Sequence, residues 1–345
     1  MRITFPVLTL SRGGAQRMLA ELANRLAGIG HEVTILMPSQ GVVEYTMKCP
    51  VIFAGPTRIS EDDFPVGDVI VSNYFTTVPV AQRASEQGKG IHIRLALCYE
   101  PTFLPNNNES FASYHISPNL LVISRWQQGI VHINHGIKGR IVPVGVSDGF
   151  YNRHFREANK KLVVSAIVRK PEGGFSGHRE QEYLLQQLDL IKAQHPEVEL
   201  YLITPPGEYA ESSWLQSLFA GGYYHLRTPL NDEELSCHYS ESDIFISSST
   251  YDSGSLPGLE AMRCGAALVT VYSGGNLEYC VHEVNCLMSY RYENRLAQDV
   301  VTLIRDKERR ERLAKSGEES SLQFTWERSV NIFQAELFDI ISKQG

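Results

Sequence analysis

The feature that most constrains the fold of this 345-residue chain is a regular alternation of short apolar runs with amphipathic helical patterns. The first half contains the Val- and Ile-rich runs RITFPVL, HEVTILMP, DVIVSNY, GIHIRLAL and LLVIS. The second half contains LVVSAIV, VELYLIT, DIFISSS and AALVTVY. Short apolar runs separated by helical patterns are typical of parallel sheets built from βαβ units. The sequence therefore predicts an α/β protein with two similar lobes.

The length and one irregular segment indicate where the lobes begin and end. A chain of 345 residues exceeds one ordinary domain, so two domains are expected. The segment RIVPVGVSDGFYNRHFREANKK interrupts the alternation with Pro, Gly and polar residues, which places a hinge near residues 147–160. We predict domains at 1–150 and 151–325. A terminal helix at 326–345 is expected to pack back onto the first lobe through the apolar face Val330, Phe333, Leu337 and Ile341.

Composition excludes several classes of protein. The formal net charge of −7 shows no excess of Lys and Arg, so nucleic acid is not expected as a partner. The six cysteines form no C-x-x-C pair, which argues against a zinc site and a disulfide framework. No leader-like segment and no apolar run of membrane-spanning length is present. The sequence thus predicts a cytoplasmic protein.

Three turns rich in small residues follow predicted strands, where α/β sheets bind ligands. The first, SRGGAQ, places Gly13 and Gly14 before a helix whose N-terminal amides favour an anion or polar ligand. An ordinary tight turn explains this pair equally well. Neither G-x-G-x-x-G nor a P-loop occurs in the sequence.

The second turn lies in SSSTYDSGSLPGLEAMRCG, between two predicted strands. Pro257 suits the first turn of a helix that ends at Gly265. Asp252 and Glu260 flank a predicted loop that contains Ser253, Gly254 and Ser255. The backbone amides of this loop are expected to face the edge of the sheet. A carboxylate that favours the helix dipole would explain Glu260 alone, but not the whole set. The third turn, YSGGNLEY, places Gly274 and Gly275 after the next strand, so both turns open on the same edge.

Three motifs, in order, give the chain a resemblance to retaining glycosyltransferase family 4. GGAQRMLAELANRLAGIGHEVTIL resembles the N-terminal motif of that family, and RIVPVGVSDGFY resembles its interdomain motif. DSGSLPGLEAMRCGAALVTVYSGGNLEYCVHEVNCLM is similar to its donor-binding core. The resemblance implies the GT-B fold, in which two Rossmann-like lobes with parallel sheets face an interdomain cleft. It also implies a nucleotide-sugar donor held by the second lobe and an acceptor held mainly by the first.

The resemblance assigns roles residue by residue. Glu260 matches the glutamate that binds the ribose hydroxyls of the nucleotide. Asp252 takes the place of a glutamate that lies against the transferred sugar, and it is one methylene shorter. Ser255 replaces the usual glycine before Leu256, and the amides around it are expected to reach the phosphates or the sugar. The residues expected to bind the donor are Gly13, Gly14, Lys170, Ser253, Gly254, Ser255, Leu256, Glu260, Gly274 and Gly275.

The family also places two cations after the first strand of the second lobe, where they neutralise the diphosphate. Arg169 occupies the first position, and either Arg179 or Lys170 supplies the second. Glu100 stands where family members often carry a histidine; it either orients the acceptor hydroxyl or caps the following turn. The residues expected to act in catalysis are Arg169, Arg179, Asp252 and Glu100. No D-x-D motif is present, so we expect neither a metal nor another cofactor.

The resemblance implies transfer of a sugar from a nucleoside-diphosphate-sugar to a glycan, lipid-linked or other hydroxyl acceptor, with retention at the anomeric carbon. Such a reaction suits the synthesis of cell-surface polysaccharides or glycoconjugates, with peripheral contact at the inner membrane face. The alternatives are an inverting GT-B transferase, a sugar-nucleotide epimerase, and a catalytically silent nucleotide-sugar-binding protein. For an inverting enzyme, His115 or Glu100 would be the candidate general base. The sequence leaves the sugar, the nucleobase, the acceptor and the oligomeric state open.

Overall fold

A computed structural model describes residues 1–104, 107–173 and 176–343. The chain divides into two compact units. The first unit comprises Met1–Gly145 and Phe324–Gly345, and the second comprises Val146–Gln323. The predicted domain limits at residues 150 and 325 lie close to these bounds. Residues 344 and 345 of the predicted terminal helix lie outside the described residues.

The first unit is built on a parallel sheet of seven strands in the order β3-β2-β1-β4-β5-β6-β7. Its strands are β1 (Arg2–Pro6), β2 (Glu32–Pro38), β3 (Val51–Ala54), β4 (Val69–Ser72), β5 (Ile91–Ala96), β6 (Leu120–Val122) and β7 (Arg140–Ile141). Ile3 pairs with Val33 on one side and with Val69 on the other. All residues of β4 and nearly all of β1 and β5 are buried. Burial on both faces is expected of a parallel sheet that is covered by helices.

The second unit contains a parallel sheet of six strands in the order β10-β9-β8-β11-β12-β13. Its strands are β8 (Val163–Ile167), β9 (Glu199–Ile203), β10 (His225–Arg227), β11 (Ile244–Ser247), β12 (Ala267–Val271) and β13 (Leu287–Ser289). Ile246 pairs with Ala166 of β8 and with Val269 of β12. The loops that follow β8, β11 and β12 therefore lie side by side at the carboxyl edge of the sheet.

Twelve α-helices of the described residues, numbered in chain order, connect the strands and cover the sheets. They are α1 (Gly14–Gly28), α2 (Thr77–Glu86), α3 (Asn107–Ala112), α4 (Arg125–His135), α5 (Gln181–Gln194), α6 (Pro206–Glu211), α7 (Ser213–Ala220), α8 (Asp232–Glu241), α9 (Leu256–Arg263), α10 (Leu296–Arg305), α11 (Lys307–Ser321) and α12 (Trp326–Ser342). Among the described residues, none of these helices combines the length and the apolar character needed to cross a bilayer.

Helices α1 and α12 each bury one apolar face in the core of the first unit. α1 buries one apolar face that includes Met18, Leu22 and Leu26. α12 packs against α1, and its Phe333 ring lies 6.2 Å from the ring of Phe5. The last helix of the chain thus completes the core of the first unit.

The fold agrees with the sequence prediction: both sheets are parallel, and their central strands coincide with the predicted apolar runs. Four short strands, β3, β7, β10 and β13, were not predicted from the sequence.

Candidate functional site

The loop after β11 is organised by Asp252. One carboxylate oxygen, Oδ1, accepts hydrogen bonds from the backbone N–H groups of Gly254 (3.2 Å) and Ser255 (2.9 Å). Such bonds from a side chain to the following backbone stabilise a tight turn. Asp252 therefore shapes the loop that it was predicted to flank, and this oxygen is directed at the loop's own amides.

The loop after β12 packs directly on this turn. The Asp252 N–H donates to the Ser273 carbonyl, and the Gly275 N–H donates to the Asp252 carbonyl, both at 2.8 Å. A Cβ atom added to Gly275 would lie only 2.2 Å from the Ser253 carbonyl oxygen. Gly274 has a φ of 94°, which glycine tolerates without strain. The two glycines thus let two backbone segments touch.

Ser255, the N-cap residue that precedes helix α9, has a φ of 48° and a ψ of 43°. Within the described residues, no side chain caps the helix and no acidic residue lies in its first turn. The Ser255 carbonyl accepts a hydrogen bond of 2.6 Å from the Tyr279 hydroxyl. The N–H groups of the first turn and the positive end of the helix dipole are consequently suited to an anion.

Glu260 lies one turn into α9, and its side chain is buried, with 4% exposure. The Tyr239 hydroxyl of α8 donates to Glu260 Oε2 at 3.4 Å. Tyr239 itself is fully buried and packs edge-on against Phe245 of β11. The carboxylate is therefore held by a rigid aromatic residue below the start of the helix.

Arg169 follows β8 and is bound to a carboxylate. Its Nε donates to both oxygens of Glu208 on α6, at 2.8 and 2.9 Å, and its Nη2 also bonds to Glu208 Oε1. Burial, the largest single effect, raises the pKa of Glu208, but the hydrogen bonds and charges of Arg169 and Lys170 together outweigh it, so that pKa is lowered. The sequence-predicted phosphate cation is thus already neutralised by an acidic partner.

Arg179 lies at the end of a short 3₁₀ helix, Gly177–Arg179, before α5. Burial lowers the pKa of Arg179, the nearby charge of Arg169 lowers it further, and Asp252 opposes both effects. No described residue provides a hydrogen-bond acceptor to its guanidinium. Arg179 also lines a small cavity together with Ile167 and Pro257, the second residue of α9. Arg179 and the second residue of α9 therefore line the same cavity, whose volume of about 10 Å³ is close to that of one water molecule.

The predicted residues of the second unit lie in the segments that follow β8, β11 and β12, and in α9. Arg179 shares the cavity with the N-terminus of α9 and interacts electrostatically with Arg169 and Asp252. Lys170 differs, because its Nζ donates to Glu211 at 2.5 Å and its side chain is about one-third exposed. Of the two candidates for the second cation, Lys170 is paired with a carboxylate, and Arg179 is not bonded to one among the described residues. The other predicted residues of this unit are buried or half-buried: Ser253, Gly254, Ser255, Leu256, Glu260, Gly274 and Gly275.

In the first unit, Gly13 and Gly14 follow β1 as predicted, and α1 begins at Gly14. The backbone of Gly13 is extended, with a φ of 178°, so no left-handed conformation requires glycine there. The Tyr45 hydroxyl accepts from the Gly13 N–H (3.2 Å) and donates to the Gly13 carbonyl (3.1 Å). The loop is therefore fixed by Tyr45 from the neighbouring segment.

Glu100 is buried in an ion pair, with no solvent exposure. Its two oxygens lie 3.1 and 3.2 Å from Arg94 Nη2, and one of them accepts from the Tyr114 hydroxyl at 2.9 Å. The Arg94 guanidinium also lies 3.7 Å from the centre of the Tyr114 ring. This arrangement fits a residue that fixes the turn after β5 better than one that contacts an acceptor hydroxyl.

Sequence reasoning missed three residues that shape the site. Glu208 could have been suspected from the sequence, because it follows the predicted strand β9 and so lies at the same edge of the sheet as the other site residues. Tyr239 lies on α8 and had no local signal. Asn276 is fully buried and bonds to the Ser273 N–H and the Val271 carbonyl; its place after the glycine pair was the signal. Across 1–104, 107–173 and 176–343, no three His, Cys, Asp or Glu side chains are grouped to hold a metal.

Comparison with known proteins finds a family match and a curated relative. Residues 173–320 match the model of the family described as glycosyl transferases group 1. The chain is 26% identical over 199 residues to the sulfoquinovosyl transferase SQD2 of Arabidopsis thaliana. That match covers 56% of this chain and 38% of the relative, so the chain spans well under half of that relative's length.

Solved structures with the same fold cover nearly the whole chain. The sucrose-phosphate synthase of Thermosynechococcus elongatus superposes with a TM-score of 0.81 and 18% identity, over 100% of both chains. HepE of Anabaena, solved in complex with UDP, superposes with a TM-score of 0.78 and 16% identity, over 98% of this chain and 100% of that one. The predictions of a glycosyltransferase and of the GT-B fold are confirmed at the level of domain and fold: residues 173–320 match the model of glycosyl transferases group 1, and solved structures superpose on nearly the whole chain.

Proposed function

We propose that the protein is a family 4 enzyme that transfers a sugar from a nucleoside-diphosphate-sugar to an acceptor hydroxyl, with retention at the anomeric carbon. The observation that carries this proposal is the carboxyl edge of the second sheet, where Arg179 lies beside the start of α9, a helix that no side chain of the described residues caps. Its positive groups suit a diphosphate. The match to the group 1 family over the same residues supports the assignment.

In the proposed reaction, this site stabilises the nucleoside diphosphate as it leaves the sugar. The bond from the anomeric carbon to the phosphate oxygen breaks while the bond to the acceptor oxygen forms on the same face of the sugar. The departing diphosphate takes the proton of the acceptor hydroxyl. Arg179 and the first-turn amides of α9 are fixed beside the growing negative charge, which is where preorganised electrostatics lowers a barrier most. Since protein groups supply the positive charge, we propose transfer without a metal ion.

The donor class is supported by relatives, one of which, HepE, has been solved with UDP and with UDP-glucose. We propose a uridine-diphosphate sugar as the first donor to test, with Glu260 on the ribose hydroxyls. The acceptor class, a glycan or lipid-linked hydroxyl, follows from the family resemblance. The same resemblance underlies the proposed role in polysaccharide or glycoconjugate synthesis at the cytoplasmic face of the inner membrane.

Titration calorimetry with UDP, GDP and ADP tests the donor site. We expect the parent protein to bind one of them and Arg179→Ala to bind it about tenfold or more weakly, because a charge-assisted bond to phosphate is lost. Lys138→Ala in the first unit is the control and should bind like the parent. Equal affinity of Arg179→Ala and the parent would contradict the site assignment.

Product analysis tests the reaction itself. NMR of the anomeric proton, with the matching nucleotide sugar and an acceptor panel in EDTA, should show the configuration of the donor retained. Inversion would favour an inverting transferase, and conversion of the donor without an acceptor would favour an epimerase. Donor binding without turnover on any acceptor would favour a silent binding protein, a reading that the inward-turned Asp252 oxygen also fits.

A further inference from the structure

Helix α6 presents two carboxylates to the two consecutive cations that follow β8. Glu208 bonds to Arg169, and Glu211, one turn later, bonds to Lys170. The pairs differ in their surroundings. The Arg169 and Glu208 side chains are 25% and 16% exposed, whereas those of Lys170 and Glu211 are 35% and 67% exposed. Only the first pair is sheltered enough for its charges to matter strongly.

The contacts of Glu208 are those that a bound anion would make. Its two oxygens accept from the Arg169 guanidinium, and Oε2 also accepts from the Lys170 backbone N–H at 2.9 Å. Arginine binds carboxylate and phosphate through the same planar fork of donors. A phosphate oxygen and the Glu208 carboxylate therefore compete for the same donor groups on Arg169.

Arg179 provides the contrast within the same electrostatic neighbourhood. The charge of Arg169 lowers the pKa of Arg179, yet within the described ranges no carboxylate bonds to Arg179. One of the two cations thus has no carboxylate bonded to it among the described residues, and the other is bound by a carboxylate of the protein.

We propose that Glu208 is an affinity-determining residue that holds Arg169 in the place of a diphosphate oxygen and must be displaced when the donor binds. The inference rests on the proposed function of this site. A diphosphate anchored by Arg179 and the start of α9 brings enough negative charge to exchange with one carboxylate. Part of the donor's binding free energy is then consumed in breaking the Arg169–Glu208 pair, so removing the Glu208 charge should tighten binding.

Calorimetric titration of UDP into Glu208→Gln and Glu208→Ala tests the proposal. We expect either variant to bind UDP about tenfold more tightly than the parent, the size of a charge-assisted bond. Glu211→Gln is the matched control, one turn away on the same helix, and should change affinity less than twofold because its ion pair is exposed. In an Arg169→Ala background, Glu208→Gln should have no further effect, since the competing donor groups are gone.

The outcomes separate the two proposals. If the parent binds UDP and Glu208→Gln binds it equally or more weakly, Glu208 does not compete with the ligand and the inference is overturned. Weaker binding would instead make Glu208 a residue that positions Arg169 for the donor. If neither the parent nor the variants bind UDP, GDP or ADP, the proposed function fails, and the inference fails with it. Circular dichroism of each variant verifies that the fold is kept.

Discussion

Ser255 shows at the scale of one residue why the related motif usually has glycine at this position. Its φ of 48° lies in the left-handed region, which costs a residue with a Cβ atom about 1–2 kcal/mol. Its hydroxyl makes only a long hydrogen bond of 3.4 Å with Ser273. The strain is retained because the turn must deliver the backbone to the start of α9.

Replacing Ser255 with glycine should therefore stabilise the protein. The relief of strain exceeds the entropy that glycine adds to the unfolded chain, about 0.4–1 kcal/mol, so Ser255→Gly should gain about 0.5–1 kcal/mol in free energy of unfolding. Ser253→Gly, two residues earlier and without a positive φ, is the control and should lose stability. Urea unfolding measures both, and a less stable Ser255→Gly variant would contradict the account.

Individual residues also mark the limit of what the sequence predicts about the site. Arg169, Arg179, Asp252 and Glu260 could be named from local motifs, and their roles in binding and catalysis remain predictions. Which cation is neutralised could not be named, because the partner of Arg169 is Glu208, which belongs to a different βα unit. Charge pairing of this kind is decided by the order of strands in the sheet, and no local pattern reports it.

At the scale of elements, the strands that the sequence did not reveal are the edges of the two sheets. β3 and β7 border the first sheet, and β10 and β13 border the second. Central parallel strands are buried on both faces and appear as apolar runs. The edge strands are short: β3 has four residues and exposes Ile52 and Phe53, β7 has two residues, and β10 and β13 have three each. Even β3, whose residues are all apolar, is too short to show the periodicity of a strand.

The contact between the loops that follow β11 and β12 leads to a prediction at this scale. Gly275→Ala would drive a Cβ atom to 2.2 Å from the backbone of Ser253, and backbone cannot rotate away. We expect a loss of about 2–4 kcal/mol in free energy of unfolding and weaker nucleotide binding, since the loops must separate. Gly221→Ala, which has nothing within 4 Å of its added Cβ, should change neither by much. Unfolding curves and calorimetry test this, and a stable, fully binding Gly275→Ala would contradict it.

For the whole molecule, the chain leaves its first unit after Gly145 and returns to it at Phe324. The departure and the return are packed together, because a Cβ atom on Gly145 would lie 2.4 Å from the Trp326 backbone nitrogen. Trp326 is itself fully buried. The returning helix α12 is therefore an integral part of the first unit, although it follows the entire second unit in sequence.

This organisation predicts that a destabilising substitution in α12 lowers the stability of the first unit. Phe333→Ala removes a ring that is fully buried and stacked near Phe5, so it should cost about 3–5 kcal/mol in free energy of unfolding. Phe338→Ala, on the same helix but 51% exposed, should cost less than about 1 kcal/mol. Hydrogen exchange should accelerate in Met1–Gly145 for Phe333→Ala, while the strands of Val146–Gln323 keep the protection of the parent, because each unit has its own sheet and core. Faster exchange confined to the second unit would show that α12 does not stabilise the unit to which its contacts assign it.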